Sequence, residues 1–337
     1  SGKAAREMIA ADGLGLGFGA DGGPDGGRLA YPVMIKASAG GGGRGIRVAA
    51  GADEVDGMFD ACAREARHAF GDGSVFLERV IERPRHIEVQ VVADSHGNTV
   101  HCLERDCSVQ LRNQKVVEIA PAPNLDPGVR KAMHEAAVAL CKSVGYVNVG
   151  TVEFLLEGDA RFYFLEMNPR IQVEHTVTEE VTGIDLVETQ FHIANGLSLA
   201  EIGIGDEDLL LGSQAPGSGT KFAVQVRVSM EAGSGHQFTA LKEPSGPGVR
   251  VDSCAYVGLT PPVQFDPLFA KLICSHGQSL GGALSRTRRA LREFHIEGIG
   301  SNIEALTSIL DHPEFVDAHT GEYVATTALL RDHPELV

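Results

Sequence analysis

The chain has 337 residues, of which 43% are hydrophobic, and its formal charge is −16 at pH 7. This length suits two domains, or one large α/β domain with an appended lid. The acidic balance argues against a nucleic-acid partner, because a phosphate backbone needs a basic surface. A nucleotide needs only a local cluster of cations and stays possible.

Cysteine usage and hydropathy predict a cytoplasmic protein. The six cysteines form no CxxC pair and no metal-ligand spacing, which is typical of reduced core residues in a cytosolic protein. No apolar run approaches the roughly 20 residues of a membrane span, and no signal peptide opens the chain.

The N-terminal stretch predicts a short helix followed by a loop. Lys3–Ala11 consists of good helix formers, and a glycine-rich stretch covers Gly13–Gly27. Within it, Gly15–Ala20 satisfies the dinucleotide-binding pattern. That pattern must follow a strand and open a helix, whereas this one follows a helix and runs into more Gly, Asp and Pro, so a loop is the better interpretation.

The next segment combines two predicted strands with a glycine-rich loop. The strands are Tyr31–Ala37 and Ile46–Ala49, and Ser38–Gly45 between them contains five glycines. Consecutive glycines are costly in conformational entropy, which indicates a backbone that approaches a partner closely, and free backbone N–H groups can wrap around phosphate oxygens. Lys36 and Arg44 add cations at the same place. The pattern predicts a phosphate grip; the alternative is a flexible hairpin tip.

The elements that follow complete a small unit and begin a larger one. A predicted helix, Ala52–Phe70, and a predicted strand, Ser74–Ile81, complete a β–loop–β–α–β unit with the glycine loop at its edge, as expected of a mobile lid. The later predictions are a hairpin of His86–Asp94 and Thr99–Leu103, a polar stretch at Glu104–Lys115, and helices at Asp126–Val144 and Thr178–Asn195.

Two strands predicted at Val149–Glu157 and Arg161–Met167 carry the strongest chemical signal. If the hairpin folds about its Gly-Asp-Ala turn, Glu153 lies opposite Glu166, and Asn168 joins them on the same face. Facing carboxylates repel unless a cation lies between them. Two carboxylates and an amide oxygen suit magnesium or manganese shared with substrate phosphates. The alternative is a solvated hairpin face with ordinary surface charge.

Alternate residues just beyond this hairpin predict an anion site. Arg170, Gln172 and Glu174 can point the same way, and they offer a cation, an amide and a carboxylate beside the metal.

Further on, the pattern predicts an antiparallel arrangement with strands at Lys221–Met230, Gly248–Ser253 and Leu268–Ser275 and helices at Ser279–Phe294 and Ser301–Asp311.

Several ordered motifs resemble the biotin carboxylase component of biotin-dependent carboxylases of the acyl-CoA or pyruvate carboxylase type. They include YPVMIKASAGGGGRGIRV, HIEVQVVADSHGN, LERDCSVQLRNQKVVEIAPAP, FLEMNPRIQVEHTVTEEVTGIDLV, SGPGVRVDS, FDPLFAKLI and REFHIEGIGSNI. The resemblance implies an α+β ATP-grasp fold with a small lid subdomain and a larger antiparallel-sheet C-terminal domain. The expected domains are a linker at 1–30, the lid at 31–81, the ATP-grasp core at 82–200 and the C-terminal domain at 201–337.

The resemblance also implies which residues bind ATP. Lys36 and the glycine loop would hold the phosphates, Lys3 would reach the α-phosphate, and a hinge would receive the adenine. The implied set is Lys3, Lys36, Gly40, Gly41, Gly42, Gly43, Arg44, Gly45, Glu78, Arg79, Ile81, His86, Gln110 and Asn113.

The implied reaction uses ATP, a magnesium or manganese ion, bicarbonate and carrier-bound biotin. The metal would bind Glu153, Glu166 and Asn168; Lys115 and Arg170 would hold bicarbonate, Glu174 would be its base, and Arg250 would stabilise the biotin ureido oxyanion. Bicarbonate attacks the γ-phosphate to give carboxyphosphate, which yields carbon dioxide for biotin. Expected partners are a biotin carrier domain, a carboxyltransferase and further copies of the chain in a homo-oligomer.

Two other functions stay open on the sequence alone. One is another ATP-grasp ligase, such as the carbamoyl-phosphate synthetase large chain, which activates bicarbonate without biotin. The other is a non-catalytic nucleotide-binding scaffold.

The chain departs from the resembled family at a few positions. Asn113 stands where many relatives have His against the ribose, Leu111 replaces a common Arg, and Gln225 replaces a usual acidic residue. The segment 10–30 looks shorter than the family's linker, and the family's N-terminal nucleotide-fold subdomain is missing, so we expect weak or no turnover from this chain alone.

Overall fold

The computed structural model describes residues 17–18, 24–25, 31–39, 45–158, 160–204, 221–261 and 266–337. The chain divides into two compact units, residues 1–83 with 157–163 and residues 84–156 with 164–337. This division lies two residues beyond the predicted end of the lid at residue 81. All the predicted domain boundaries stay predictions.

The start of the chain is described only in part. The predicted helix at Lys3–Ala11 lies outside the described residues. Within the predicted loop at Gly13–Gly27 the structure has two two-residue strands, β1 (Gly17–Phe18) and β2 (Pro24–Asp25), which pair with each other antiparallel.

The first unit contains a three-stranded sheet and one long helix. Its strands are β3 (Val33–Ala37), β4 (Ile46–Ala49) and β5 (Val75–Arg79), in the order β4-β3-β5, and its helix is α1 (Ala52–Phe70). Alternate residues of β3 are buried, so Val33 and Ile35 pack with Val55 and Cys62 of the helix. The predicted helix and the three predicted strands are confirmed, with β3 and β5 shorter than predicted.

Position 45 requires a glycine, because a side chain there would clash and the backbone is in the left-handed region. Its φ is +70°, and a Cβ there would lie 2.8 Å from the Cβ of Ala37. Its carbonyl accepts hydrogen bonds from the Ala37 amide at 2.9 Å and from the Cys62 thiol at 2.9 Å. Gly45 therefore closes the β3–β4 hairpin, while residues 40–44 of the predicted phosphate grip lie outside the described residues.

The second unit is built on a large antiparallel sheet with helices packed on it. Its strands, two of which reach into residues 157–163, are β6 (Arg85–Ala93), β7 (Thr99–Leu111), β8 (Gln114–Ala120), β9 (Asn148–Glu157), β10 (Arg161–Asn168), β11 (Phe222–Lys242), β12 (Val249–Ser253), β13 (Leu268–His276) and β14 (His295–Ser301). Its helices are α2 (Pro127–Ser143), α3 (His175–Thr182), α4 (Leu186–Ala194), α5 (Leu280–Glu293), α6 (Ile303–Asp311) and α7 (Leu329–Asp332), and a 3-10 turn follows at Pro334–Leu336.

The strand order joins the two predicted domains of this unit in one sheet. The order is β12-β13-β11-β8-β7-β6-β9-β10, and β14 pairs with β11 outside this path. The pairing of β11 with β8 connects them, with Gln225 directly opposite Glu118. The α+β, antiparallel-sheet class expected from the resemblance is confirmed.

Among the described residues, no helix is both long and apolar enough to cross a membrane.

Apolar side chains of β11, β13 and the C-terminal helices form the largest core cluster. Phe238, Leu272, Leu291 and Leu306 are at most 1% exposed. Burying such a side chain contributes about 1.5–3 kcal/mol, so this cluster anchors the strand that carries Gln225 and Arg227.

The stretch predicted only as polar, Glu104–Lys115, is mostly strand. It forms the end of β7 and the start of β8, and the two residues between them, Arg112 and Asn113, have φ of 51° and 66°. Positive φ at both central residues is the pattern of a two-residue hairpin turn. The strand pattern is hidden in the sequence because β7 buries charged side chains, including Glu104 and Arg105, among its apolar ones.

Other elements also differ from the sequence-based expectation, and β11 continues to Lys242 where the prediction ended at Met230. The helix predicted at Thr178–Asn195 is broken into α3 and α4 at Gly183, whose φ is +77°. Asp126 caps α2 as predicted, accepting from the amides of Gly128 at 2.8 Å and Val129 at 3.0 Å. Strand β14 had no counterpart in the predictions.

Candidate functional site

Lys115 gathers three carboxylates in the second unit. Its ammonium donates to Glu88, to Glu153 Oε1 at 3.0 Å and to Glu174 Oε1 at 2.7 Å. The four groups come from β8, β6, β9 and the N-cap of α3, so the sheet and one helix end position them. Burial opposes the charge of Lys115, but Glu88 and the other anionic groups around it outweigh burial and raise its pKa.

The three predicted metal ligands converge at one side of this cluster. Asn168 Nδ2 lies 2.9 Å from Glu153 Oε1 and 3.3 Å from Glu166 Oε1. Gln172 also donates to Glu153 Oε1, at 2.9 Å. Burial would raise the pKa of Glu153, but His86 and Lys115 outweigh it and lower that pKa. The two carboxylates and the side-chain oxygen of Asn168 are of the ligand type that magnesium or manganese prefers. In this structure the Asn168 amide turns its nitrogen to both carboxylates and its oxygen to Arg170, so binding of the ion requires the amide to turn over.

His86 lies on the other side of Glu153. Its Nε2 is 3.0 Å from Glu153 Oε2 without the alignment of a hydrogen bond, and its Nδ1 is 2.7 Å from Gln110 Nε2. Burial lowers the pKa of His86, but Glu153 and Glu88 outweigh burial and raise it. His86 and Gln110, both of them predicted nucleotide residues, therefore meet in the structure, and His86 adjoins the candidate metal ligand Glu153.

Arg170 reaches the candidate metal ligands from the solvent side. It is exposed, and it donates to Asn168 Oδ1 at 3.1 Å and to the carbonyl of Ile171 at 3.1 Å. Its guanidinium is accessible to a small anion beside the two carboxylates of the hairpin.

Arg227 is a site residue that the sequence-based reasoning missed. Its Nε donates to Glu118 at 2.6 Å, and its terminal nitrogen donates to Glu174 Oε2 at 3.0 Å. Burial opposes its charge, but Glu118 and Glu174 outweigh it and raise the pKa of Arg227. Glu174, only 2% exposed, is thus held between Lys115 and Arg227. An arginine at an alternating position of an apolar strand was the available signal.

Arg250, the predicted oxyanion residue, makes different contacts. It donates to Glu179 at 2.8 Å and to the two oxygens of Asp252 at 2.8 and 3.0 Å. Burial opposes its charge, and the hydrogen bonds that Arg250 donates to Asp252 and Glu179 outweigh burial and raise its pKa. The structure therefore pairs Arg227, and not Arg250, with the predicted base.

Arg105 is a second residue that the sequence did not single out. It is fully buried on β7 and donates to Gln90 at 2.7 Å, to Thr178 at 3.0 Å and to Gln172 Oε1 at 2.8 Å. Because Arg105 holds the oxygen of the Gln172 amide, the nitrogen of that amide faces Glu153.

The first unit contains five described residues of the predicted nucleotide set, Lys36, Gly45, Glu78, Arg79 and Ile81. Lys36 forms an ion pair with Glu78, and Arg79 donates to Glu157 at 2.7 Å and to the Tyr163 hydroxyl at 3.2 Å. In the second unit Asn113 occupies the exposed hairpin turn. Of the remaining predicted residues, Ile81 is half-buried beyond β5, and Lys3, Gly40, Gly41, Gly42, Gly43 and Arg44 lie outside the described residues.

Comparison with known proteins identifies the family. The family model for the ATP-binding domain of the carbamoyl-phosphate synthase L chain matches residues 26–202, and the model for the biotin carboxylase C-terminal domain matches residues 225–330. The fold is therefore an ATP-grasp fold. The chain belongs to the biotin carboxylase family.

Individual relatives agree with this assignment. Pyruvate carboxylase 1 of Caenorhabditis elegans is 45% identical over 312 residues, which are 90% of this chain and 25% of that protein. The propionyl-CoA carboxylase alpha chain of Ruegeria pomeroyi is 43% identical over 324 residues, with 91% and 47% covered. The chain thus spans about a quarter to a half of the length of these curated relatives.

Solved structures resemble the chain over nearly its whole length. The biotin carboxylase domain dimer of Hydrogenobacter thermophilus 2-oxoglutarate carboxylase, solved with MgADP, ADP and bicarbonate, has a TM-score of 0.82 and 36% identity, covering 98% of this chain and 73% of that one. Pyruvate carboxylase of Rhizobium etli, solved with the activator acetyl coenzyme A, has a TM-score of 0.83 and 39% identity, with 99% and 30% covered.

Proposed function

We propose that this chain catalyses the ATP- and bicarbonate-dependent carboxylation of biotin on a carrier protein, the first half-reaction of an acyl-CoA or pyruvate carboxylase. It would be a ligase that forms a C–N bond. The observation that carries the proposal is Glu174, a buried carboxylate held between the cations of Lys115 and Arg227. This arrangement suits a base that acts on a small anion, because the same cations can bind that anion.

The proton transfer follows from a competition for these cations. When bicarbonate enters, it takes hydrogen bonds from Lys115 and Arg170. Glu174 then shares the cation of Lys115 with the bound bicarbonate. A carboxylate next to the bound bicarbonate can thus accept its proton, which makes bicarbonate a better nucleophile toward the γ-phosphate of ATP.

Glu153, Glu166 and Asn168 would hold magnesium or manganese against the ATP phosphates. The ion supplies charge neutralisation at the phosphate oxygens during phosphoryl transfer. Lys36 and the loop Gly40–Gly45 would grip the phosphates, with Lys3 at the α-phosphate. Glu78, Arg79 and Ile81 would receive the adenine.

The second step needs a cation for the biotin ureido oxygen. Carboxyphosphate yields carbon dioxide and phosphate, the phosphate takes the proton from the ureido nitrogen, and that nitrogen captures carbon dioxide. The resemblance implies that Arg250 stabilises the oxyanion. The contact of Arg227 with Glu174 favours Arg227, because the ureido group must lie next to the place where bicarbonate reacted.

The proposed partners follow from the relatives. Biotin-dependent carboxylases contain a biotin carrier and a carboxyltransferase, and we propose both as partners of this chain, in a homo-oligomeric enzyme. A carbamoyl-phosphate synthetase activity is less well supported, since the family model for the biotin carboxylase C-terminal domain matches residues 225–330.

The test uses the natural protein that contains this chain. It is incubated with ATP, magnesium, ¹⁴C-bicarbonate and a biotinylated carrier domain, and both ADP release and label on the carrier are measured. We expect ADP release that requires bicarbonate and label that requires the biotin group. Label on ammonia-derived carbamate in place of biotin, or ATP binding without bicarbonate-dependent hydrolysis, would contradict the proposal.

A further inference from the structure

Arg227 and Glu174 lie on different elements, and one buried hydrogen-bond path connects those elements. Arg227 lies on β11, and Glu174 is the N-cap residue of α3. The path runs from Thr176, in the first turn of α3, through Gln225 on β11 to Glu118 on β8. All three residues are fully buried.

Each group on the path has one defined partner on either side. The Thr176 hydroxyl donates to Gln225 Oε1, and Gln225 Nε2 donates to Glu118 Oε2 at 2.9 Å. Glu118 Oε1 accepts from Arg227 Nε at 2.6 Å. Because Gln225 both accepts and donates, only one orientation of its amide satisfies both neighbours.

We propose that Gln225, with Thr176 and Glu118, is a positioning residue that sets Arg227 and Glu174 at their working distance. Gln225 and Arg227 are two residues apart on β11, so they share a face of the strand. Gln225 also lies directly opposite Glu118 in the sheet register. The path therefore links the Arg227 guanidinium to β8 by hydrogen bonds, and it links the first turn of α3 to β11. Both partners of the 3.0 Å contact between Arg227 and Glu174 are positioned in this way.

Positioning matters because a small displacement of the Arg227 guanidinium slows the reaction. A buried guanidinium that loses one of two acceptors can rotate toward the other, and a shift of about 1 Å at a reacting group can cost about 100-fold in rate. The inference deepens the proposed function, since it concerns how that function's base and cation are held.

The decisive variant is Thr176→Val, which removes the hydroxyl and keeps the shape. We expect kcat of bicarbonate-dependent ATP hydrolysis to fall by about 10-fold, with the KM for ATP unchanged. Thr176→Ser keeps the hydroxyl and should restore kcat. Thr287→Val is the matched control, because Thr287 is equally buried in a helix and its hydroxyl donates to the Ala283 carbonyl at 2.9 Å, away from the path.

A second pair of variants tests Gln225 itself. Gln225→Leu removes both hydrogen bonds, and we expect a larger fall in kcat than for Thr176→Val. Gln237→Leu is the control on the same strand, because Gln237 is exposed and its side chain donates to the Gly258 carbonyl at 2.8 Å.

A spectroscopic readout separates this inference from the proposed function. The Nε–H of Arg227 is followed by ¹⁵N NMR, with Arg227→Lys used to assign the signal. We expect slow solvent exchange in the wild type and at least about 10-fold faster exchange in Thr176→Val, as local opening becomes easier. A wild type without bicarbonate-dependent hydrolysis would overturn the proposed function alone. Unchanged Arg227 exchange, or an equal loss of kcat in Thr176→Val and Thr287→Val, would overturn the positioning role.

Discussion

Lys115 Nζ lies 2.7 Å from Glu174 Oε1, and both side chains are largely withdrawn from solvent, at 14% and 3% exposure. The same ammonium donates to Glu153, which belongs to the candidate metal site. One lysine thus connects the proposed base with the proposed metal ligand, and a change in its partners affects both.

The first prediction concerns this lysine. Lys115→Met removes the cation that would bind bicarbonate and leaves buried carboxylates without their common partner. We expect kcat of bicarbonate-dependent ATP hydrolysis to fall by at least about 100-fold and the free energy of unfolding to fall by about 1–3 kcal/mol. Steady-state kinetics and urea unfolding measure the two effects. Lys131→Met is the control, since Lys131 is exposed and lies 3.8 Å from Glu135; equal behaviour of the two variants would contradict the assignment.

The second prediction concerns the metal. Glu166→Gln removes one of the two converging carboxylates, and we expect the magnesium concentration for half-maximal activity to rise by about 10-fold or more. Binding of manganese measured by electron paramagnetic resonance should weaken in parallel, which separates metal binding from turnover. Glu135→Gln, a change of an exposed helical carboxylate, should leave both unchanged. Manganese binding equal to that of the wild type in Glu166→Gln would show that the ion binds elsewhere.

The third prediction compares two arginines. Arg227→Gln removes one of the two cations that contact Glu174, whereas Arg250→Gln breaks the ion pairs with Glu179 and Asp252. We expect Arg227→Gln to reduce carboxylation of biotin by about 100-fold or more and Arg250→Gln to reduce it by a smaller factor. Transfer of ¹⁴C from bicarbonate to biotin measures both. The opposite order would restore Arg250 as the residue that stabilises the ureido oxyanion.

The fourth prediction concerns acid stability at a distance from the site. His101 stacks on His134 with ring centroids 3.9 Å apart, and burial together with the charge of His134 lowers the pKa of His101 to about 4. The unfolded chain protonates this histidine near its ordinary pKa of 6.5. Stability is therefore complete above about pH 6.5 and falls as the pH drops toward 4, because the unfolded state binds the proton more readily.

Replacing His101 with glutamine removes this dependence of stability on pH. Between pH 7.5 and pH 5 we expect His101→Gln to lose less unfolding free energy than the wild type, by at most about 2 kcal/mol, since one pKa unit corresponds to about 1.4 kcal/mol. Urea unfolding at the two pH values measures it. His295→Gln, a change at an exposed residue that lies 3.0 Å from Glu297, serves as the comparison. Identical pH dependence of His101→Gln and the wild type would rule out a protonation effect at His101.

Local sequence patterns predicted much of the secondary structure. Asp126 followed by Pro127 predicted the start of α2, and the alternation of Val149–Glu157 predicted a strand that places Glu153 near Glu166 and Asn168. Such patterns depend on neighbours within a few residues, where capping and side-chain alternation operate. They are visible without the fold.

Buried polar networks were harder to predict. Glu104–Lys115 gave no strand signal, because Glu104, Arg105 and Asp106 are fully buried and hydrophobic periodicity does not mark them. Their partners lie far away in the chain: Glu104 with Arg130 at 2.9 Å, and Arg105 with Gln172 at 2.8 Å. A charge is buried only where such partners meet it, and no local pattern encodes that.

The sequence by itself determined most of the helix and strand segments, the hairpin with its acidic face and the family motifs, because these depend on local spacing. Only the tertiary structure decided that Arg227, and not Arg250, contacts Glu174. Arg227 is 53 residues away from Glu174 along the chain, and the two meet because β11 pairs with β8 and packs against α3. Long-range sheet pairing sets that distance.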